Sequence, residues 1–133
     1  MVIRRLALVV LVVALAACGG SPAVSVQQVA GALTAVGASN VHDEAIEASV
    51  PVPKSFTAHQ AFEITSVAPK GGQFFVCDTK KNCDAIYAYF DALKALAGPY
   101  LYQSPSGTVV VQLNSGLKPD EAAKFEQAVK GLP

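Results

Sequence analysis

Tyr100-Leu101-Tyr102-Gln103-Ser104-Pro105-Ser106-Gly107-Thr108-Val109-Val110-Val111-Gln112-Leu113-Asn114 is the stretch that decides the fold. Two β-prone arms flank a Pro-Ser-Gly turn, which is the sequence form of a hairpin. In the second arm Val109, Val111 and Leu113 alternate with Thr108, Val110, Gln112 and Asn114, so one sheet face is apolar and the other mixed. In the first arm Tyr100 and Tyr102 share a face, opposite Leu101. Val110 and Gln112 are expected to adjoin them across the hairpin. If left uncovered, Tyr100, Tyr102, Val110 and Gln112 form a candidate binding face suited to protein or glycan contact. The competing expectation packs the tyrosines under a helix or under residues 51–53, with only the hydroxyls wet.

Upstream, Ile86, Tyr89, Phe90, Leu93, Leu96 and Ala97 recur at helical spacing, the strongest periodicity in the chain. They predict a helix from 82 or 83 to about 97, stopped by Gly98-Pro99. Tyr87 lies off that stripe. Further upstream, residues 62–67 and 73–77 read as strands around Ala68-Pro69-Lys70-Gly71-Gly72, giving a second hairpin. Ser25 with Gln28 makes a capping-box signature for a helix over 25–36, with Gly37 as its stop. Downstream, Pro119 suits the first helical position, and Asp120 and Glu121 suit the positive end of the dipole. Ala122, Phe125, Ala128, Val129 and Leu132 would face inward there.

Residues 38–61 are the least legible. Pro51 and Pro53 exclude a central strand, and any strand near 45–50 would be an edge or a detached piece. The expected order is α-ββ-α-ββ-α: an α+β, two-layer domain over 25–133, with a four-stranded antiparallel sheet of two hairpins covered on one side by helices.

The first residues carry Arg4 and Arg5, followed by an unbroken apolar run over 6–17. As a helix it would span about 18 Å, short of a hydrocarbon core of about 30 Å. Leu15-Ala16-Ala17-Cys18 then leads into Gly19-Gly20-Ser21-Pro22. The arrangement resembles the lipobox of bacterial lipoproteins. It implies a signal peptide over 1–17, lipid on Cys18, a short linker over 18–24, and a domain held near the extracytoplasmic face of a cell membrane or outer membrane. Without Arg4 and Arg5, eight basic residues stand against ten acidic ones, a formal charge of −2. That balance argues against nucleic acid and against a polybasic membrane surface.

With Cys18 assigned to lipid, Cys77 and Cys83 are the natural disulfide pair in an oxidising compartment. They would clamp a strand-to-helix turn across Asp78-Thr79-Lys80-Lys81-Asn82.

The 62–133 region also resembles a family of small bacterial extracytoplasmic proteins without assigned activity. The shared features are the two hairpins, the paired aromatics Tyr89-Phe90, the run Val111 to Asn114, and the helix start Pro119-Asp120-Glu121-Ala122. The resemblance implies fold and compartment and no catalytic residue.

Chemistry is sparse. The only histidines are His42 and His59, with no Gly-x-Ser-x-Gly elbow beside either. Asp43, Glu44 and Glu47 cluster without a calcium-loop pattern. Gly71-Gly72 lacks the rest of a phosphate loop. No cofactor or metal is called for. The first expectation is therefore a non-enzymatic envelope lipoprotein that binds an envelope protein or a glycan. The second is a small hydrolytic or metal-dependent factor using His42 and His59.

Overall fold

The computed structural model describes residues 23–133. Residues 1–17, expected to form a signal peptide, and Cys18 lie outside the described residues. An α+β fold is observed, with one antiparallel sheet packed by helices. The sheet has five strands rather than the expected four, and the order of elements is α-βββ-αα-ββ-α.

Helix α1 (Val26–Thr34) starts as its capping box requires. Ser25 Oγ accepts from the Gln28 amide at 3.1 Å, and Gln28 Oε1 accepts from the Ser25 amide at 2.8 Å. Val24, just outside the helix, is already buried in the core. Strand β1 (Ala38–Asp43) is the extra strand. It pairs only with β2 (Ala58–Ile64) and its register shifts between Ser39 and His42. Its residues are mostly polar and exposed because it is a bulged edge, paired on one side alone. A search for apolar alternation passes over such a strand. The strand considered near 45–50 is instead part of a loop over 44–57.

A 3-10 turn (Thr65–Val67) leads into β3 (Gly71–Val76). Helix α2 (Lys80–Ala92) begins two or three residues earlier than expected, because Thr79 caps it by accepting from the Asn82 amide at 3.3 Å. It ends at Leu93, whose φ of −104° and ψ of 10° leave helical geometry, and α3 (Lys94–Ala97) follows. The break resets the helical phase. Leu96, expected on the buried stripe, is 83% exposed as a result. Strands β4 (Leu101–Gln103) and β5 (Val109–Leu113) form the hairpin, and α4 (Pro119–Lys130) starts with Pro119 in its first turn.

The strand order is β1-β2-β3-β5-β4, every neighbour antiparallel. Pairing of β3 with β5 joins the two hairpins into one sheet. Both faces are covered, so the domain has three layers and not two. On one face α1 and α4 pack Val29, Leu33, Phe125 and Val129 onto Phe62, Phe74, Val111 and Leu113. Phe62 stacks on Phe125 at 6.1 Å. On the other face α2 brings Cys83, Ile86 and Phe90 onto Phe75, Val110 and Leu101, while the 44–57 loop adds Ile46, Val52 and Phe56. Burial from both sides explains why every residue of β5 is buried, Gln112 included. Each Phe or Leu fully buried here stabilises by roughly 1.5–3 kcal/mol.

Cys77 and Cys83 form a disulfide, with Cα atoms 5.6 Å apart. It pins the end of β3 to the first turn of α2. Closing so short a loop contributes about 2–2.5 kcal/mol on the chain-entropy model.

Candidate functional site

The four residues of the expected binding face do not share a face. Tyr102 lies opposite Val111, while Val110 lies opposite Gln103 and Gln112 opposite Leu101. Tyr100 and Tyr102 pack, half-buried, against the α1/α4 core. Val110 is buried in the α2 core on the other side of the sheet. The side-chain period of two is responsible: pairing an even-numbered Tyr with an odd-numbered Val puts Val110 and Gln112 on the far face.

Tyr102 donates from its hydroxyl to the Ala122 carbonyl at 3.3 Å. Burial first, then the charges of Glu126 and Tyr100, pushes its phenol up to about 12. A raised phenol favours the neutral form in the folded state. Its contribution is thus complete below about pH 10 and lost as pH climbs toward 12. In an ultraviolet titration, Tyr102 should ionise only above the ordinary tyrosine range. Subtracting the Tyr102→Phe curve should reveal a transition near 12, and a difference curve centred near 10 would contradict the assignment.

The site with chemical character lies on the α2 face. Helix α2 covers β3, β5 and β4, and the 44–57 loop covers β2 and β3. Between them opens a cleft of about 380 Å³. Ile46, Val50, Val52, Phe90, Leu93 and Ala97 supply its apolar walls, and Tyr89 stands beside Phe90. His59 and Gln73 form its polar floor, and Glu44 and Glu47 line its loop side. A smaller cavity of about 240 Å³ adjoins it, sharing Glu44 and Gln73 and reaching His42, Glu63, Lys70 and Asn114.

The loop is held by several anchors. Ser55 Oγ donates to the Asn82 carbonyl at 2.9 Å, and Thr57 Oγ1 donates to the Val76 carbonyl at 3.0 Å. Val52 is buried in the α2 core. His59 supplies a further anchor. Only 7% exposed, it places Nδ1 2.7 Å from the Glu44 carbonyl and Nε2 2.8 Å from Gln73 Oε1. Its ring stacks on Phe75 at 4.5 Å and 15°. Gln73 Nε2 donates to Gln112 Oε1 at 3.0 Å. Gln112 Nε2 donates to the Ala97 and Leu113 carbonyls, both at 2.7 Å. A hydrogen-bonded chain thus runs from the loop, through β2, β3 and β5, to the end of α3.

His42 sits exposed on β1, with Nδ1 2.7 Å from the Asn40 carbonyl. The two histidines therefore line different cavities. Among the described residues, no group of three or more His, Cys, Asp or Glu is placed to hold a metal ion. No helix among them is long and apolar enough to cross a membrane. At α2, Asp84 accepts from Lys80 and from Gln103, and these bonds hold its carboxyl below the usual carboxylate range.

The sequence does not reveal the cleft because one of its two walls comes from a loop with no periodicity. The available signal was Val50-Pro51-Val52-Pro53, apolar residues in an extended segment that has to press on something. Comparison with protein-family models, with curated proteins and with solved structures finds no match to the chain.

Proposed function

We propose that the protein is a lipid-anchored extracytoplasmic binding module, tethered to the cell membrane or outer membrane through Cys18. Its site is the cleft beneath the 44–57 loop, and its ligand is an amphipathic cation. The observation that carries this reading is the composition of the cleft. Its walls are apolar, its volume falls in the range of small-molecule sites, and its only Asp, Glu, Lys or Arg residues are Glu44 and Glu47. A non-polar body would displace water from the walls, while a positive end would meet the two carboxylates.

The ionic end is tested with a matched pair of probes, phenylbutyltrimethylammonium and phenylbutyrate. Amide spectra of the full chain in lipid nanodiscs should show shifts at Ile46, Val50 and Ala97 with the cation. Binding of the anion should be at least about tenfold weaker, the effect of roughly 1.4 kcal/mol. Replacing Glu44 and Glu47 together by Gln should erase the preference. Equal binding of both probes, or none of either, would remove the reading. The tether is tested separately: Cys18→Ser should release or misprocess the protein, and a normally cleaved, fully anchored Cys18→Ser protein would refute lipidation.

A further inference from the structure

Strand β4 ends the sheet, and no strand lies beyond it. Leu113 donates its amide to the Tyr100 carbonyl and Ser104 donates its amide to the Val109 carbonyl, both at 3.0 Å. Between these bonds Tyr102 lies opposite Val111. Residues 100, 102 and 104 therefore turn their backbone groups toward β5. The direction alternates along an antiparallel ladder, so Leu101 and Gln103 turn N–H and C=O outward. The next outward positions are Pro99 and Pro105, which have no N–H to offer.

The two ends of the sheet differ. At the far end β1 carries a register shift, Asn40 at φ 48° and mostly polar residues, features that discourage a further strand. Leu101-Tyr102-Gln103 has no charge, proline or bulge, and only its shortness guards it. A groove of about 280 Å³ lies against all three residues. Tyr87 of α2 lines it on the side where Leu101 is buried. Glu126 and Lys130 of α4 line it on the side of Tyr102, whose hydroxyl reaches the same helix at the Ala122 carbonyl. The groove thus holds one acid and one base. Within the chain these two pair with each other across a helical turn, at 2.6 Å, and stay solvent-accessible.

We propose that this edge is a self-association surface, on which β4 pairs antiparallel with β4 of a second copy about a two-fold axis at Tyr102. Leu101 then exchanges two hydrogen bonds with the partner's Gln103, and Gln103 two with the partner's Leu101. Every outward group of the edge is used. A slip of two residues either way would set Gln103 against Pro99 or Leu101 against Pro105, so the prolines fix this register. Charge selects the occupant. An acidic or a basic peptide would meet one matching and one opposing charge. A second copy, with its α4 running antiparallel, brings base to acid twice, as an isologous interface requires. The cleft lies over β2 and β3, at the other side of the sheet order, and neither it nor the tether enters this inference.

Sedimentation equilibrium of the full chain, in a density-matched detergent, reads the assembly directly. The unaltered chain should dimerise reversibly as its concentration is raised. Glu126→Lys and Lys130→Glu should each weaken the dimer at least about tenfold, by setting like charges face to face. Both positions are accessible, so each variant should keep its fold. Mixing the two variants in equal amounts should restore association, because each then meets its opposite. A chain that stays monomeric to its solubility limit would overturn the proposal. So would a dimer indifferent to both charge reversals, or a mixture no tighter than its components. In a dimer of 13C-labelled and unlabelled copies, a filtered cross-peak should join Tyr102 Hα of one copy to Tyr102 Hα of the other, since Cα atoms in such a pair lie about 4.5 Å apart. A dimer without that cross-peak associates elsewhere and would equally refute the edge.

Discussion

Phe75→Ala is expected to lower the melting temperature by about 15–20 °C, the equivalent of about 3–5 kcal/mol for an aromatic truncated in a core. Phe75 has no solvent exposure and stands at the centre of the second core. It meets Phe56 edge-on at 5.4 Å, His59 in a stack and Phe90 at 5.6 Å. One side chain thus carries the loop, His59 and α2. Neither neighbour can collapse into the space, because the disulfide fixes the start of α2 and Ser55 and Thr57 fix the loop. The expected signature is uneven: amides of 44–57 should exchange faster in Phe75→Ala, while those of α4 keep their protection. Thermal melts with hydrogen exchange check this. A shift below about 5 °C would mean that the second face is dispensable, contrary to its packing.

Gly98→Ala is expected to cost about 12 °C or more, and for a different reason. Gly98 holds φ 120° and ψ 150°, a region open essentially to glycine alone. Space is closed as well. A Cβ there would run into the Leu113 carbonyl oxygen and lie 2.9 Å from the Ser115 nitrogen. The backbone strain of roughly 1–3 kcal/mol and the collision add to about 3 kcal/mol or more. The adjoining carbonyl, Ala97, accepts from Gln112, so displacement of this corner should also disturb the glutamine pair. The melt of Gly98→Ala, compared with Gly31→Ala in α1 where nothing lies within 4 Å, isolates the effect. Equal melting temperatures for the two variants would refute it.

Much of this architecture was readable because local chemistry and packing agree. Ser25 and Gln28 mark the start of α1, Pro119 marks α4, and the Val109, Val111, Leu113 alternation marks β5. The cysteine spacing anticipated the bridge that closes the turn into α2. Failures occurred where tertiary context decides. Val110 and Gln112 looked like half-exposed positions because a mixed strand face usually meets water, yet α2 and α3 cover them. Leu96 kept helical spacing with Ile86 and Leu93, but the break at Leu93 turned it outward. Strand β1 has almost no apolar pattern, since an edge needs only backbone partners. The cleft was the least legible of all. His59 could be picked out as an unusual residue, but its bonds depend on Gln73, Gln112 and Glu44, three positions separated in sequence and united by strand order.

The burial of Val24 has a further consequence for how a partner would be met. The folded body takes hold of the chain there, six residues beyond Cys18. With lipid on Cys18 as proposed, the leash between membrane and domain spans at most about 20 Å even when fully stretched. Any ligand residing in the same bilayer would then encounter the cleft at an effective concentration near the millimolar range. A module placed this way has no need of tight intrinsic affinity. Weak, rapidly reversible capture would be sufficient, and measurements made on a detached domain in dilute solution would understate what the tethered one achieves.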